Sequence, residues 1–233
     1  MTWRDGVHLT GTAIWCDSRR RRDICFVSSA DRVGRTGHGQ LIGTPATLAL
    51  IDADGTGHLG VPVHRPFTLG TLRLQLIPSG RGLGAAALHV APLGEDGGEH
   101  GVLYAGAIRS ARGEGAHAWI APADVRAAAA VVVHAPFGDA RHAFPPLADA
   151  IAQTLAWVRA QLAAGRDAVL LVDTALDALE VLACLHAEQV PIATSRGIEV
   201  VARRSAAPRI AADALSVPRA PTNGTSPARR HAP

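Results

Sequence analysis

The sequence predicts a mixed α/β fold in which sheets are covered by helices on the outside. Strand-like segments dominate the first half of the chain, whereas strand-like and helix-like segments alternate in the second half. Most of the predicted elements have an apolar face, and packing sheet and helix in layers would bury these faces together. With 233 residues, of which 48% are hydrophobic, the chain is long enough to enclose one such core.

The first half contains one predicted helix among several strands. The helix begins at Pro45, because Thr44 is a good N-cap residue and proline suits the first helical position. The stretch TLRLQLIP alternates leucines with Arg73 and Gln75, which is typical of a half-buried strand. Other strands are predicted at residues 7–15, 23–27, 87–91, 101–108 and 128–134, the first two being separated by the charged turn SRRRR.

The second half predicts two helices and two strands. Residues 145–164 form an amphipathic helix with one apolar stripe, and Gly165 is placed to end it. The apolar run AVLLV at 168–172 predicts a fully buried strand. A second helix is predicted at 175–187 and a short strand in QVPIAT, residues 189–194.

Charge is unevenly distributed between two predicted regions. Residues 203–233 contain six arginines and one acidic residue and are rich in Pro, Ala and Ser, so we expect a disordered tail. Its arginines suit either a solvated linker or contact with an anionic partner. Residues 1–202 contain 17 arginines against 19 acidic residues, and they are predicted to form the folded domain.

Membrane association and export are not expected from this sequence. No apolar run approaches the roughly 20 residues of a membrane span, and the N-terminus lacks a basic segment followed by an apolar one. The three cysteines are widely spaced and odd in number, which favours free thiols. We therefore expect a soluble, cytoplasmic protein with no membrane partner.

Several segments, in order, resemble the metallo-β-lactamase-fold nucleases. They are most similar to the bacterial DNA-ligase-associated exonucleases and to the pre-mRNA 3′-end processing nucleases, and the resemblance covers roughly residues 7–200. It implies a four-layer αββα sandwich that is truncated and lacks a full inserted cap domain. The segments are VSSADRVGRTGHG, GTPATLALI, PSGRGLGAAALHV, LYAGAIRS, VVHAPFG and GRDAVLLVDTALDALEVLACL.

The resemblance also indicates where the family's metal ligands would stand, and most of them are replaced. The family typically binds two zinc ions, for which imidazole and carboxylate are suitable ligands. Valine and alanine have no side-chain lone pair, serine is a poor ligand, and arginine is a permanent cation. We therefore expect neither a metal cofactor nor a catalytic residue at the degenerate positions, which are Val27, Ser29, Asp31, Arg32, Arg81, Ala107 and His134.

These substitutions predict a metal-free homologue of the exonucleases that acts as a binding or scaffolding subunit. The glycines of the family's turns are retained at Gly80, Gly84, Gly106 and Gly138. The expected setting is DNA repair or another nucleic-acid process. The expected partners are nucleic acid, DNA rather than RNA, and an active nuclease, DNA ligase or helicase.

Three alternatives remain open, of which the first two concern the degenerate positions. Arg32, Arg81 and Arg109 could bind a phosphate, or the arginines could instead form a structural ion pair with Asp31. A rearranged metal site would have to recruit Asp31 together with His38, His134 and His142, which would make the protein an active metal-dependent hydrolase. A protein-interaction module without nucleic-acid binding is the third alternative, and the slightly acidic body favours it.

Overall fold

A computed structural model describes residues 5–32, 37–95, 97–109, 120–124 and 126–205. In chain order the strands are β1 (Val7–His8), β2 (Ile14–Cys16), β3 (Ile24–Phe26), β4 (Gln40–Gly43), β5 (Leu59–Gly60), β6 (Pro66–Leu69), β7 (Leu72–Pro78), β8 (Ala86–Pro92), β9 (Val102–Gly106) and β10 (Ala130–Val133). The helices are α1 (Pro45–Leu50), α2 (Gly97–His100), α3 (Leu147–Ala163), α4 (Ala175–Ala187) and α5 (Arg196–Arg204).

The strands form two five-stranded sheets. The first sheet has the order β1-β2-β3-β4-β5 and is parallel except for the β1/β2 pair. The second sheet has the order β10-β9-β8-β7-β6 and is antiparallel except for the β10/β9 pair. The general expectation of a mixed α/β fold with multi-stranded sheets is therefore confirmed, whereas the four-layer sandwich stays a prediction.

The main hydrophobic core lies between the two sheets. Alternate residues of the first sheet, such as Ile14, Phe26 and Ile42, are fully buried there. They pack with residues of the second sheet such as Leu74 and Leu88. Since side chains alternate across a strand, the residues between them face outward and are free to meet helices.

Helices cover the outer face of the first sheet. Leu48 of α1 packs against Val27 and Leu41, and Leu50 of the same helix joins a cluster with Leu176 and Leu179 of α4. The longer helix α3 packs on α4 through a smaller cluster that contains Leu155, Val158 and Leu185. The helical layer therefore extends from the first sheet through α4 to α3.

Several predicted elements are confirmed by the described structure. Helix α1 begins at Pro45, and the Thr44 hydroxyl accepts a hydrogen bond from the Thr47 N–H. Helix α4 spans residues 175–187 as predicted, and strand β7 contains the alternating leucines. Helix α3 is followed by Gly165 in the left-handed region with φ of 70°, as its sequence predicts.

Other predictions are wrong. Residues 7–15 do not form one strand, because the chain turns back at Leu9–Ile14 and pairs β1 with β2. Residues 168–172 are not in a strand, and Val169 and Leu171 are 72% and 93% exposed. Residues 189–194 form no strand either. The predicted tail is not among these, because helix α5 ends at Arg204, two residues past the predicted boundary at 202, and residues 206–233 lie outside the described part, so the tail stays a prediction.

No helix in the described part of the chain is both long enough and apolar enough to cross a bilayer.

Gly84 ties the second sheet to α1, and we expect Gly84→Ala to be clearly destabilising. Its φ is +72°, and an added Cβ would lie 2.7 Å from the Thr47 nitrogen. A left-handed non-glycine residue alone costs about 1–2 kcal/mol, so the clash should raise the loss above 2 kcal/mol.

The matched control is Gly70→Ala, because Gly70 has φ of +59° and open space around its Cβ position. Chemical denaturation should give a loss of only about 1 kcal/mol for this control. Equal losses for the two variants would show that close packing at Gly84 is unimportant.

Candidate functional site

The degenerate positions come together where several strands end. Residues 27–32 follow β3, Arg81 follows β7, Arg109 follows β9, and His134 follows β10. Backbone hydrogen bonds join these segments, with the Arg109 N–H donating to Ser79 O at 2.9 Å and the His134 N–H donating to Gly106 O at 2.8 Å. The charged residues that follow these strands therefore lie close together, and Arg81 and Arg109 contact Asp177 and Glu180 of α4.

Arg81 is the centre of a charged network. Its Nη2 lies 3.0 Å from a carboxylate oxygen of Asp31 and 3.0 Å from one of Asp177. The same nitrogen lies 3.4 Å from the Thr174 hydroxyl, and Nη1 is 3.9 Å from Glu180 Oε1. The side chains of Arg81 and Asp31 are 19% and 10% exposed, so water screens this ion pair only partly. Asp31 thus has an arginine as its ion-pair partner.

Arg109 is paired in the same way. Its Nη2 donates to both carboxylate oxygens of Glu180, at 3.1 and 2.9 Å. Its Nη1 is buried and has no hydrogen-bond partner among the described residues. The cluster as a whole has no net formal charge, because it contains three arginines and three acidic residues. These are Arg32, Arg81 and Arg109 with Asp31, Asp177 and Glu180. The predicted ion pair is present at Arg81, while phosphate binding stays a prediction that only the unpaired Nη1 of Arg109 favours.

Arg32 contacts the imidazole of His134. The Arg32 Nη2 lies against His134 Nδ1, which can act as the acceptor when that nitrogen is unprotonated. Burial lowers the pKa of His134, the positive charge of Arg32 lowers it further, and Asp31 opposes the shift. This histidine therefore favours the neutral form in the folded protein.

A second polar cluster joins the two sheets beside these residues. Asp17 Oδ1 accepts a hydrogen bond from the Ser28 N–H at 2.8 Å, and Oδ2 accepts from the Tyr104 hydroxyl at 2.7 Å and from the Ser28 hydroxyl at 2.5 Å. Burial raises the pKa of the Asp17 carboxyl, although the hydrogen bonds from Ser28 and Tyr104 act in the opposite direction. Each donor is fixed by a strand end, so the cluster holds the β2, β3 and β9 ends together.

The remaining degenerate positions have structural roles. Val27 is 1% exposed and packs against Leu48 of α1. The Ser29 hydroxyl donates to Asp31 Oδ1, and Ala107 follows the end of β9. Gly80 allows β7 to turn here, because its φ is +75° and a Cβ would lie 2.0 Å from Arg109 O.

The residues at this site do not fit a binuclear zinc centre. A guanidinium repels a divalent cation, and valine offers no lone pair. Within the described ranges, no three His, Cys, Asp or Glu side chains form a group that could hold a metal ion. Of the residues considered for a rearranged centre, His38 Nδ1 accepts from the Arg22 N–H, and His142 packs against Phe137 and Phe144.

The acidic residues of α4 were not identified from the sequence. Asp177 and Glu180 are three residues apart and therefore lie on one helix face, where they reach Arg81 and Arg109. Thr174 is the N-cap and accepts from the Asp177 N–H. The sequence does show two acidic residues on one face of the otherwise apolar segment TALDALEVLACL, which marks them as unusual. It does not show their arginine partners, because these lie about 70 to 100 positions earlier in the chain.

Comparison with known proteins does not assign a family. Neither the protein-family models nor the curated proteins yield a match. The crystal structure of a protein of unknown function from Enterococcus faecalis V583 is similar over 37% of this chain and 25% of that one, with 15% sequence identity and a TM-score of 0.28. This chain therefore spans about a quarter of that protein, and so low a TM-score supports no conclusion about fold or function.

We expect Arg81→Ala to lower the free energy of unfolding by about 2–3 kcal/mol, because it leaves the poorly exposed Asp31 without its ion-pair partner. Denaturant unfolding measures this loss. The control is Arg141→Ala, which removes an arginine that is 85% exposed and paired with Asp139. A surface pair of this kind contributes little, so the control should unfold like the wild type. If both variants behaved alike, the Arg81 network would not stabilise the fold.

The lowered pKa of His134 predicts a loss of stability in mild acid. The unfolded chain binds a proton at the ordinary pKa near 6.5, whereas the folded chain binds it only at lower pH. The contribution of His134 to stability is therefore present above pH 6.5 and decreases as the pH falls through that value. Arg32→Gln should raise the pKa of His134, as followed by NMR titration of the imidazole, and should weaken this pH dependence. An unchanged His134 pKa in the variant would contradict the assigned effect of Arg32.

Proposed function

We propose that this protein is a catalytically inactive relative of the metallo-β-lactamase-fold exonucleases, acting as a binding or scaffolding subunit in DNA repair or another nucleic-acid process. The observation that carries the proposal is the ion pair of Asp31 with Arg81 at 3.0 Å. Asp31 is the carboxylate that the sequence resemblance retains, and a dication could bind it only by displacing a guanidinium.

The neighbouring contacts support the same proposal. Glu180 holds Arg109 through both carboxylate oxygens, and Arg32 lies against His134. The Asp31 carboxylate and the His134 Nδ1 therefore each already have an arginine partner within the protein. Such a closed network favours a structural role for these residues over activation of a water molecule.

Exposed apolar side chains support the binding part of the proposal. Several large apolar residues between positions 131 and 171 are exposed, and Phe137 and Phe144 also contact each other, which suits an interaction site. The most exposed of them are Val131, Phe137, Phe144, Val169 and Leu171. An active nuclease, a DNA ligase or a helicase is the expected kind of partner.

The proposal is tested by metal analysis and nuclease assays on the purified full chain. We expect less than about 0.1 equivalent of bound zinc, manganese or iron, because a zinc site requires several nitrogen, sulfur or oxygen ligands. We also expect no cleavage of single-stranded DNA, duplex DNA or RNA when Zn²⁺, Mn²⁺ or Mg²⁺ is added.

Asp31→Asn is the matched control for trace nuclease contamination. Any cleavage that is equal in the wild type and in this variant comes from a contaminant and leaves the proposal intact. Stoichiometric metal, or cleavage that Asp31→Asn abolishes while the variant remains folded, would overturn the proposal in favour of an active hydrolase.

A further inference from the structure

A dense positive charge lies on the connection between β2 and β3, and its arginines are not part of the ion pairs around Arg81. Residues 17–23, which we call the arginine turn, contain four consecutive arginines, Arg19–Arg22. The first three are exposed. These four are nearly a quarter of the 17 arginines in residues 1–202, although that region is slightly acidic overall. The charge is therefore concentrated locally.

Ser18 holds the arginine turn in a defined shape. This serine is 1% exposed, and its hydroxyl lies 3.0 Å from Asp5 O and 2.9 Å from Arg20 O. The same oxygen accepts from the Arg20 N–H at 3.3 Å and from Arg22 Nε at 3.2 Å. A buried hydroxyl with so many neighbours fixes the backbone, so little conformational entropy is left to lose on binding.

The last arginine of the turn is held by an aromatic ring. The guanidinium carbon of Arg22 lies 3.4 Å from the centroid of the Trp15 ring, which is a cation–π contact. His8 stacks on Trp15 with ring centroids 4.7 Å apart. In addition, the Gly39 N–H donates to Arg22 O at 2.8 Å. Both ends of the turn are thus anchored, while its middle is exposed.

The charge of the arginine turn is not neutralised in the way that it is around Arg81. Arg20 forms an ion pair with Asp5 at 2.9 Å, yet its side chain is 68% exposed. Arg21 has neither a hydrogen bond nor an ion pair within the described residues. Counting Asp5, Asp17 and Asp23 against the four arginines leaves a local charge of +1. An anionic partner would therefore meet the exposed side chains of Arg20 and Arg21.

We propose that the arginine turn binds the phosphate backbone of nucleic acid. Guanidinium groups match phosphate oxygens with two parallel hydrogen bonds, and a duplex presents one negative charge per about 1.7 Å of its axis. Contacts to phosphate position a protein without reading bases, so binding at the turn is independent of sequence. This goes beyond the proposed function, because it does not depend on whether the site around Arg81 has lost its metal.

The surroundings of the arginine turn favour nucleic acid over an acidic protein or a membrane surface. Protein interfaces are centred on buried apolar or aromatic anchors, and membrane-surface segments insert an apolar face. Among the described residues, the large aromatic side chain that contacts the turn is Trp15, which is covered by Arg22 and stacked by His8. The turn therefore offers charge and hydrogen-bond donors rather than apolar contact.

The test compares two double variants of the full chain that remove equal charge. Arg20→Gln with Arg21→Gln removes two exposed guanidiniums of the turn. The control is Arg159→Gln with Arg166→Gln, at two exposed positions near the end of α3. Both variants keep residues 203–233, so any binding by the arginines there is common to both. Thermal unfolding of each variant verifies that it folds like the wild type, and Arg21→Gln alone serves if the turn variant does not.

Binding is measured by fluorescence anisotropy with mixed-sequence DNA of about 30 nucleotides, single-stranded and duplex, over about 50–300 mM NaCl. If both arginines contact phosphate, the slope of log K against log salt should fall by about 1.8 units for duplex DNA and about 1.4 for a single strand. At about 0.1 M salt, duplex affinity should fall roughly fiftyfold. The control should change affinity less than about twofold and leave the slope near that of the wild type.

Three results would overturn the proposal. One is that the wild type does not bind either DNA at the lowest salt concentration. Another is that the turn variant and the control lose affinity equally, since that would mean general electrostatic attraction. The third is binding to anionic lipid vesicles or to a polyglutamate peptide with none to DNA. None of these results bears on the proposed function, because the metal and nuclease assays that test it do not involve the arginine turn.

Discussion

The charged region depends on the ion pairs that the guanidinium of Arg81 makes with the carboxylates around it. This guanidinium lies between Asp31, which follows a strand of the first sheet, and Asp177, which belongs to the first turn of α4. It therefore links both sheets and the helical layer at one position. The carboxylates of Asp31, Asp177 and Glu180 all lie within 4 Å of this guanidinium, and a cation among them offsets their mutual repulsion. Here that cation is the guanidinium of Arg81.

The neighbouring polar cluster explains why this region keeps its shape. Asp17 joins Ser28 of the first sheet to Tyr104 of the second through three hydrogen bonds. Hydrogen bonds to a poorly hydrated carboxylate are strong, since leaving it unpaired would be costly. Together with the inter-sheet core, this cluster fixes the strand ends independently of any ligand.

The two groups of arginines show how the same side chain can have different roles. Arg81 and Arg109 are largely buried, and each one faces carboxylates across about 3 Å. Arg20 and Arg21 are exposed, and their turn is held by the hydrogen bonds of Ser18. In the first group the positive charge forms ion pairs inside the protein, whereas in the second group it is exposed to solvent. Composition alone cannot separate them, because both kinds contribute equally to net charge.

Local signals in the sequence determined much of the secondary structure. The Thr44–Pro45 pair starts α1, the leucines of β7 alternate, and α4 has the bounds that its apolar period predicts. Such signals act over a few residues and need no partner elsewhere. The apolar run at 168–172 forms no strand, because a strand also needs a neighbouring strand to pair with, and Leu171 is 93% exposed. Tertiary structure alone decided that Asp31, Arg81 and Asp177 meet, since these residues are 50 and 96 positions apart and no local pattern encodes such contacts.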